Sequence, residues 1–258
     1  GEIRFRGEDI LSLDAEDMRR LRRSQIGFVA QNPMTALDPL VPIGPQVAEI
    51  AACNQRLSGR AARRLAIDAL GEAGIPEPES LYARYPHELS GGMCQRVVIA
   101  GAIVSRPALI VADEPTTALD VSTQTHILDF LVARARRDGM GLLLITHDLT
   151  VVAETCDQVA VMYAGSVVES GSADALLGSP LHPYTKGLLA CVPGEHLRRG
   201  ELRPIPGEVA SPDRPPSGCR FHPRCESRMA ACVERYPENV APCRGRRVSC
   251  HLHGGSQA

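Results

Sequence analysis

The sequence contains no tryptophan and few other aromatic residues, which make up only 3% of its 258 residues. Apolar residues nevertheless reach 44%, so the hydrophobic core must be built mainly from Ala, Val, Leu and Ile. Such a core favours packed layers of helices and strands over an all-β sandwich. The length allows one large domain, or one domain with an appendage.

The sequence also lacks a long apolar segment and a strong net charge. No uninterrupted apolar run approaches the roughly 18 residues that a membrane-spanning helix needs, and no signal-peptide pattern occurs at the start. The formal net charge of −2 gives no basic field that would attract nucleic acid. We therefore expect a cytoplasmic protein without a nucleic-acid partner.

Lysine is almost absent, because Lys186 is the only one among 28 basic residues. A phosphate-binding P-loop, G-x-x-x-x-G-K-[ST], requires a lysine between a strand and a helix. Lys186 lies in the segment HPYTKG, which does not match that motif. The sequence as given therefore contains no P-loop.

What the sequence does contain is an alternation of strand and helix patterns. Apolar runs predict strands at 25–30, 108–112 and 142–145, amphipathic segments predict helices at 58–74 and 121–137, and residues 158–169 predict a hairpin. This pattern is typical of an α/β fold with a partly parallel sheet. Residues 44–88 predict a helical insertion. From residue 179 the composition shifts toward Pro, Arg and Cys, which predicts a domain boundary near Gly178.

Two consecutive carboxylates, Asp113 and Glu114, follow the apolar run LIVA. The carboxyl ends of parallel strands are where α/β proteins place ligands. Asp113 is suited to hold Mg²⁺, and Glu114 to polarise a water molecule beside a phosphate. The alternative is an ordinary strand end with two solvated acids.

Two further segments have residues suited to phosphate. Ser90 is a natural helix N-cap, and Gly91 and Gly92 would let backbone amides approach an anion at the helix start. His147 follows another apolar strand, from which it could donate to a phosphate oxygen. An ordinary capped helix and a structural histidine are the alternatives.

Taken together, these motifs occur in one order along the chain: Gln31, LSGGMCQ at 89–95, LIVADE at 109–114, TALD at 117–120 and His147. That order resembles the nucleotide-binding domain of an ABC transporter. The resemblance covers residues 1 to about 178. It implies an ABC-type P-loop NTPase fold lacking its N-terminal part, with a RecA-like core and a helical subdomain at about 44–105. It also implies ATP and Mg²⁺ as ligands.

The resemblance assigns roles to individual residues of this chain's own ATP site. It implies that Asp113 and Gln31 hold Mg²⁺, that Glu114 is the general base for the attacking water, and that His147 contacts the γ-phosphate. It also implies that Gln31 couples the site to the membrane partner.

The same resemblance implies a second site shared with another subunit. Ser90, Gly91, Gly92 and Gln95 would contact ATP bound to a second ABC ATPase subunit, either the same chain or a sister chain. Asp120 would signal across the dimer interface.

The missing P-loop has two explanations. Because Glu114 and His147 are present and the first residue is Gly1 rather than Met, we expect an N-terminally incomplete chain. The alternative is a natural, non-catalytic half-site subunit that donates its signature motif to a partner's ATP and carries a regulatory metal or iron-sulfur module. In either case, we expect the chain as given to be inactive alone.

The tail, 179–258, carries a second resemblance. The segments HPYTK at 182–186 and QNPMTALDP at 31–39, with the tail cysteines, are similar to ATPase subunits of oligopeptide, dipeptide and nickel importers. This implies ATP-driven import of peptides, or of a related small solute such as nickel, and a peripheral location on the inner face of the membrane. It further implies transmembrane permease subunits and, indirectly, an external solute-binding protein. A DNA-repair or translation ATPase is disfavoured, since the sequence has neither a coiled-coil insertion nor a second cassette.

Five of the nine cysteines crowd the tail in the spacing C-x5-C-x6-C-x10-C-x6-C. This spacing lacks the paired C-x-x-C of common zinc ribbons and leaves iron-sulfur chemistry open. The resemblance implies a 4Fe-4S cluster on Cys219, Cys225, Cys232 and Cys250, with Cys243 spare. Zinc, free thiols and disulfides are the alternatives.

Overall fold

The computed structural model describes residues 1–55, 57–116, 121–192, 204–211 and 213–254. The chain divides into two compact units, Gly1–His147 and Asp148–Ala258. None of the described helices is both long and apolar enough to cross a membrane.

The first unit is built on a parallel sheet of three strands. These are β3 (Ile26–Val29), β4 (Leu109–Asp113) and β5 (Gly141–Ile145), in the order β3-β4-β5. A short antiparallel pair, β1 (Arg4–Phe5) and β2 (Glu8–Asp9), precedes them. The sheet confirms the predicted α/β fold, because all three predicted strands form and run parallel.

Helices account for most of the rest of the first unit. They are α1 (Ala15–Gln25), α2 (Pro33–Ala36), α3 (Ile43–Gln55), α4 (Gly59–Glu72), α5 (Pro78–Leu81), α6 (Gly91–Ile103) and α7 (Val121–Asp138). Asp14 caps α1, since its carboxylate accepts from the backbone N–H groups of Glu16 and Asp17 at 2.8 Å. Helices α3, α4 and α5 lie in the segment 44–88 that was predicted as a helical insertion, and α4 turns its alanine and leucine side toward α3 and α6.

The second unit contains an antiparallel sheet of four strands and several short helices. Its elements are α8 (Leu149–Thr155), β6 (Gln158–Tyr163), β7 (Ser166–Ser172), α9 (Ala173–Gly178), α10 (Pro183–Ala190), α11 (Ala230–Glu234), β8 (Asn239–Cys243) and β9 (Arg246–Ser249). The strand order is β6-β7-β9-β8. The hairpin predicted around Ala164 and Gly165 is confirmed, with both residues at positive φ in the turn.

The division between the units corrects the boundary predicted near Gly178. Strand β7 pairs with β9, with Glu169 opposite Val248 and Ser170 opposite Arg247. This pairing joins the hairpin to the tail, so the hairpin packs in the second unit. The change in composition at residue 179 does mark the tail, but long-range strand pairing is not visible in composition.

The two units have different cores. Apart from Gln95, the largest fully buried side chains of the first unit are aliphatic, as predicted: Val29, Ile43, Leu70, Ile99, Ile103, Ile110, Ile127 and Leu131. In the second unit, Tyr163 lies edge-on to Tyr184 and Phe221, with ring centroids 4.7 and 5.2 Å away. Three of the nine Phe and Tyr residues of the chain thus pack against one another in the core of the second unit.

Candidate functional site

The predicted catalytic residues follow three strands that end at one edge of the parallel sheet. Strands β4 and β5 run in register, with Asp113 opposite Ile145, and the backbone N–H of Glu114 donates to the Ile145 carbonyl at 2.9 Å. Gln31 lies just beyond β3, and His147 just beyond β5. The parallel arrangement therefore brings residues distant in sequence to the same edge.

Glu114 has an unusual backbone conformation. Its φ is +44°, in the left-handed region, where a side chain other than glycine costs about 1–3 kcal/mol. The hydrogen bond to the Ile145 carbonyl holds the residue in this turn. Strain of this kind is frequent at functional sites.

The Glu114 carboxylate is held from two sides. Its Oε2 accepts from Nε2 of Gln31 at 2.9 Å, and its Oε1 lies 3.0 Å from Nδ1 of His147. The contact favours the tautomer of His147 with its proton on Nδ1. The three predicted catalytic residues thus meet in one cluster.

This cluster is open to other molecules. The His147 side chain is 75% exposed and that of Glu114 is 24% exposed. An oriented carboxylate at this position can accept a proton from a water molecule. Asp113, half-buried at the end of β4, offers the hard oxygen ligands that Mg²⁺ prefers.

The signature segment begins helix α6. Ser90 caps the helix, because its hydroxyl oxygen accepts from the backbone N–H of Met93 at 3.3 Å. Ser90 and Gly91 are exposed, and a Cβ on Gly91 would meet no atom within 4 Å. Packing within this chain therefore does not require glycine at position 91. A site where another molecule approaches the backbone closely does require it.

Two residues predicted for the shared site do not join Ser90 and the glycines. Gln95 is only 2% exposed, and its Nε2 donates to the Ala30 carbonyl at 3.4 Å. The prediction that Gln95 faces a partner's nucleotide is corrected, because position 95 falls on the side of α6 that packs against β3. Asp120 lies outside the described residues.

The four cysteines predicted as cluster ligands lie in separate segments of the second unit. Cys219, Cys232 and Cys250 are buried and Cys225 is half-buried. The backbone N–H of Cys219 donates to the Cys232 carbonyl at 2.8 Å. Gly218 permits this approach: its φ is +62°, and a Cβ there would overlap the carbonyl oxygen of Cys232.

These thiols are close enough to influence one another's ionisation. Burial, with a smaller contribution from the neighbouring thiols of Cys219, Cys225 and Cys232, raises the pKa of Cys250 to about 11. Burial likewise raises the pKa values of Cys219 and Cys225. Cys243 is exposed at the end of β8. Among the described residues, no group of three or more His, Cys, Asp or Glu side chains is close enough to hold a metal ion.

Comparison with known proteins identifies the class. Residues 1–117 match the model of the ABC transporter family. The structure is similar to that of the ATP-binding cassette MJ0796 in a dimeric post-hydrolysis state bound to ADP and Pi, with a TM-score of 0.61 and 31% identity over 67% of this chain and 73% of that one. It is equally similar to cbiO1 from Clostridium perfringens, at 32% identity, 69% and 68% coverage and a TM-score of 0.61. The fold is that of an ABC-type nucleotide-binding domain.

Closer relatives narrow the class. Residues 168–232 match the model of the oligopeptide/dipeptide transporter C-terminal region. The chain is 42% identical to the dipeptide transport ATP-binding protein DppD of Bacillus subtilis over 98% of its own length and 75% of that protein. It is 41% identical to the oligopeptide transport ATP-binding protein AppD of the same organism, over 98% and 77%. The chain belongs to the family of ATP-binding ABC subunits that these peptide transport proteins represent.

Membership in this family confirms that the protein is an ABC-type ATPase. It does not favour the alternative of a non-catalytic half-site subunit. Sequence reasoning missed the internal role of Gln95, since a glutamine inside a recognised motif was assigned to the ligand. The apolar neighbours Val97, Val98 and Ile99, which mark a helix buried on most sides, were the available signal.

Proposed function

We propose that this chain is the subunit that hydrolyses ATP to energise import of short peptides through a separate membrane channel. The observation that carries the proposal is the convergence of Gln31, Glu114 and His147 at the carboxyl ends of three parallel strands. The names of the relatives support peptides over nickel as the transported solute.

Within this proposal, Glu114 accepts the proton of the attacking water. His147 and Gln31 orient its carboxylate, and the exposed ring of His147 is available to contact the γ-phosphate. Asp113 and Gln31 carry the oxygen ligands for Mg²⁺. When bound, Mg²⁺ neutralises charge on the phosphates.

In this proposal, the signature segment of this chain completes the ATP site of another ATPase subunit. Ser90, Gly91 and Gly92 contact ATP held by that subunit, and Asp120 contributes at the interface. The exposure of Ser90 and Gly91, and the empty space around Gly91, support this arrangement. The dimeric state of the similar cassette supports it as well.

A groove in the first unit is suited to the membrane partner. The cavity has a volume of about 560 Å³ and is lined by residues of α1, β3, α2, α3 and α6. Phe28 and Ile50 line it and are 56% and 40% exposed. The groove extends to Ala30, next to Gln31. We propose that a cytoplasmic segment of a permease subunit binds here, which places the protein peripherally on the inner face of the membrane. The external solute-binding protein then acts through the permease.

Transport in reconstituted vesicles tests the proposal. The full-length protein, including a P-loop, is assembled with its permease subunits in vesicles whose lumen contains the peptide-loaded binding protein. Because nucleotide is hydrolysed on the cytoplasmic side, Mg-ATP added outside is expected to drive export of labelled peptide from the lumen. ATP hydrolysis without peptide movement, or movement of nickel but not peptide, would contradict it.

We further propose that Cys219, Cys225, Cys232 and Cys250 hold a 4Fe-4S cluster. Four sulfur donors suit such a cluster, and the backbone hydrogen bond from Cys219 to the Cys232 carbonyl at 2.8 Å, which holds two of the cysteine segments together, supports it. Among the described residues, no three of these thiols are close enough together to hold a single metal ion. When bound, the cluster supplies a cross-link and a one-electron redox centre.

Matched cysteine variants test the cluster. The full chain is purified without oxygen and examined by visible absorption and by iron and sulfide analysis. About four irons per chain are expected in the wild type and in Cys243→Ser. A marked loss of iron is expected in Cys225→Ser, because Cys225 is one of the four proposed ligands and Cys243 is not. Since the buried thiols must ionise to bind iron, loading is expected to improve as pH rises. Zinc without iron, or equal loss in both variants, would overturn the assignment.

A further inference from the structure

The buried amide of Gln95 has a specific partner. Gln95 lies in α6, five residues after the capping Ser90, and is 2% exposed. A buried amide is retained where it forms hydrogen bonds, because an unpaired one is costly. Its Nε2 donates to the backbone carbonyl of Ala30 at 3.4 Å. The helix that starts with the signature segment is therefore bonded to the chain just after β3.

Ala30 directly precedes Gln31 in the catalytic cluster. Nε2 of Gln31 donates to Oε2 of Glu114 at 2.9 Å. A single peptide bond thus links Ala30, which is bonded to Gln95, with Gln31, which is bonded to the Glu114 carboxylate. The path from α6 to Glu114 consists of two hydrogen bonds and one covalent step, all within the first unit.

Helix α6 also contacts β3 at a second point. A Cβ on Gly27 would overlap the carbonyl oxygen of Ala102, near the other end of the helix, and would lie 3.1 Å from Cγ of Pro107. The strand and the helix are therefore packed backbone against backbone. Such a close contact leaves little room for the helix to shift without moving the end of β3.

We propose that Gln95 is a positioning residue that fixes the Ala30 carbonyl and thereby places Gln31 against Glu114. Through this link, contact between Ser90–Gly92 and ATP on the partner subunit is coupled to the carboxylate of this chain's own site. The inference rests on the proposed function, in which this chain both hydrolyses ATP and donates its signature segment. It differs from that function in assigning the coupling to one buried side chain.

Kinetics of matched variants in the full-length, assembled transporter test the link. Gln95→Met keeps the side-chain volume but removes the donor. Its kcat is expected to fall on the order of tenfold, as for one lost hydrogen bond, while the KM for ATP changes less than about twofold. The Hill coefficient for ATP is expected to fall toward one, because the two sites lose their coupling.

Cys94→Ala is the matched control. Cys94 is fully buried in the same turn of α6, but its thiol contacts the Pro86 carbonyl at 3.3 Å instead of β3. This variant loses a buried contact of the helix while the Ala30 link remains. Its kcat and Hill coefficient are expected to stay near wild type.

Hydrogen exchange separates positioning from general destabilisation. In Gln95→Met, exchange is expected to accelerate in residues 29–33 and to stay unchanged in α3 and α4. Unchanged exchange in 29–33, or a kcat and Hill coefficient equal to those of the wild type, would overturn the proposal. If the wild type does not hydrolyse ATP, the proposed function is rejected. Faster exchange confined to residues 29–33 in Gln95→Met would still support the link between Gln95 and Ala30.

Discussion

Glu114→Gln is expected to lower steady-state ATP hydrolysis by about 100- to 10,000-fold, the range for loss of a general base. Glutamine has nearly the same shape and retains an oxygen that can accept a hydrogen bond from Gln31 or His147. It cannot accept a proton from water. The KM for ATP is therefore expected to change little. The measurement is the rate of phosphate release by the full-length protein in the presence of Mg-ATP.

The control for this variant is Glu154→Gln, which makes the same chemical change at an exposed position in α8. Its activity is expected to match that of the wild type. A Glu114→Gln protein that hydrolyses ATP within about fivefold of the wild type would fall outside the range for a lost general base. The carboxylate would then have a structural role, and the assignment of Glu114 as base would be rejected.

The location of this site was predictable because its parts are local motifs at strand ends. Each of the apolar runs before Gln31, Asp113 and His147 predicted a strand, and parallel strands place their carboxyl ends together. What the sequence could not supply was the hydrogen bonding. The positive φ of Glu114 and its two side-chain partners depend on the exact register of β4 against β5.

Gln95 illustrates where motif reasoning fails. The motif fixes which residues occur together, but the side of α6 on which each lies depends on what packs against the helix. Nearly the whole helix beyond Met93 is buried, so an amide there serves the protein interior. A 3.6-residue period places Gln95 more than a full turn beyond Ser90, and the contact with Ala30 joins residues 65 positions apart.

The second unit was the least predictable part of the fold. Its hairpin follows from local turn residues, whereas the pairing of β7 with β9 joins residues about 80 positions apart. His182 is followed by a proline, a pattern that is typical of a turn. In the structure it caps α10, with Nδ1 accepting from the backbone N–H of Tyr184 at 3.0 Å, and it is 1% exposed. Short, Pro-rich segments give little periodic signal from which such burial can be inferred.

A buried ion pair joins the tail to the hairpin in this unit. Glu169 in β7 is 1% exposed, and its Oε1 accepts from Nη2 of Arg246 in β9 at 2.6 Å. The backbone N–H groups of Leu181 and His182 each donate to this carboxylate at 2.9 Å. Burial alone would raise the pKa of Glu169, but these hydrogen bonds and the guanidinium outweigh it and hold the pKa below its ordinary value.

Arg246→Ala is expected to destabilise the second unit by about 3–5 kcal/mol, since it leaves a buried carboxylate without its counter-ion. A typical domain is stable by only about 5–15 kcal/mol, so the loss is a large fraction of the total. Native-state hydrogen exchange of the β7 and β9 amides measures it. The control is Arg247→Ala, at the next, exposed position of β9, which is expected to change stability by less than about 0.5 kcal/mol.

The pH dependence of this loss distinguishes an ion pair from simple packing. A carboxyl group whose folded pKa is depressed contributes stability above its unfolded pKa and loses it as pH falls through the folded value. In the wild type, the contribution of Glu169 is therefore expected to be full at neutral pH and to decline below the ordinary glutamate range. In Arg246→Ala the Glu169 carboxylate lacks its main charge partner, so its protonation removes the cost of an unpaired buried charge. The difference in unfolding free energy between the variant and the wild type is therefore expected to narrow in acid. A difference that stays constant from neutral pH into acid would mean that Arg246 stabilises β9 through its aliphatic stem, independently of the charge on Glu169.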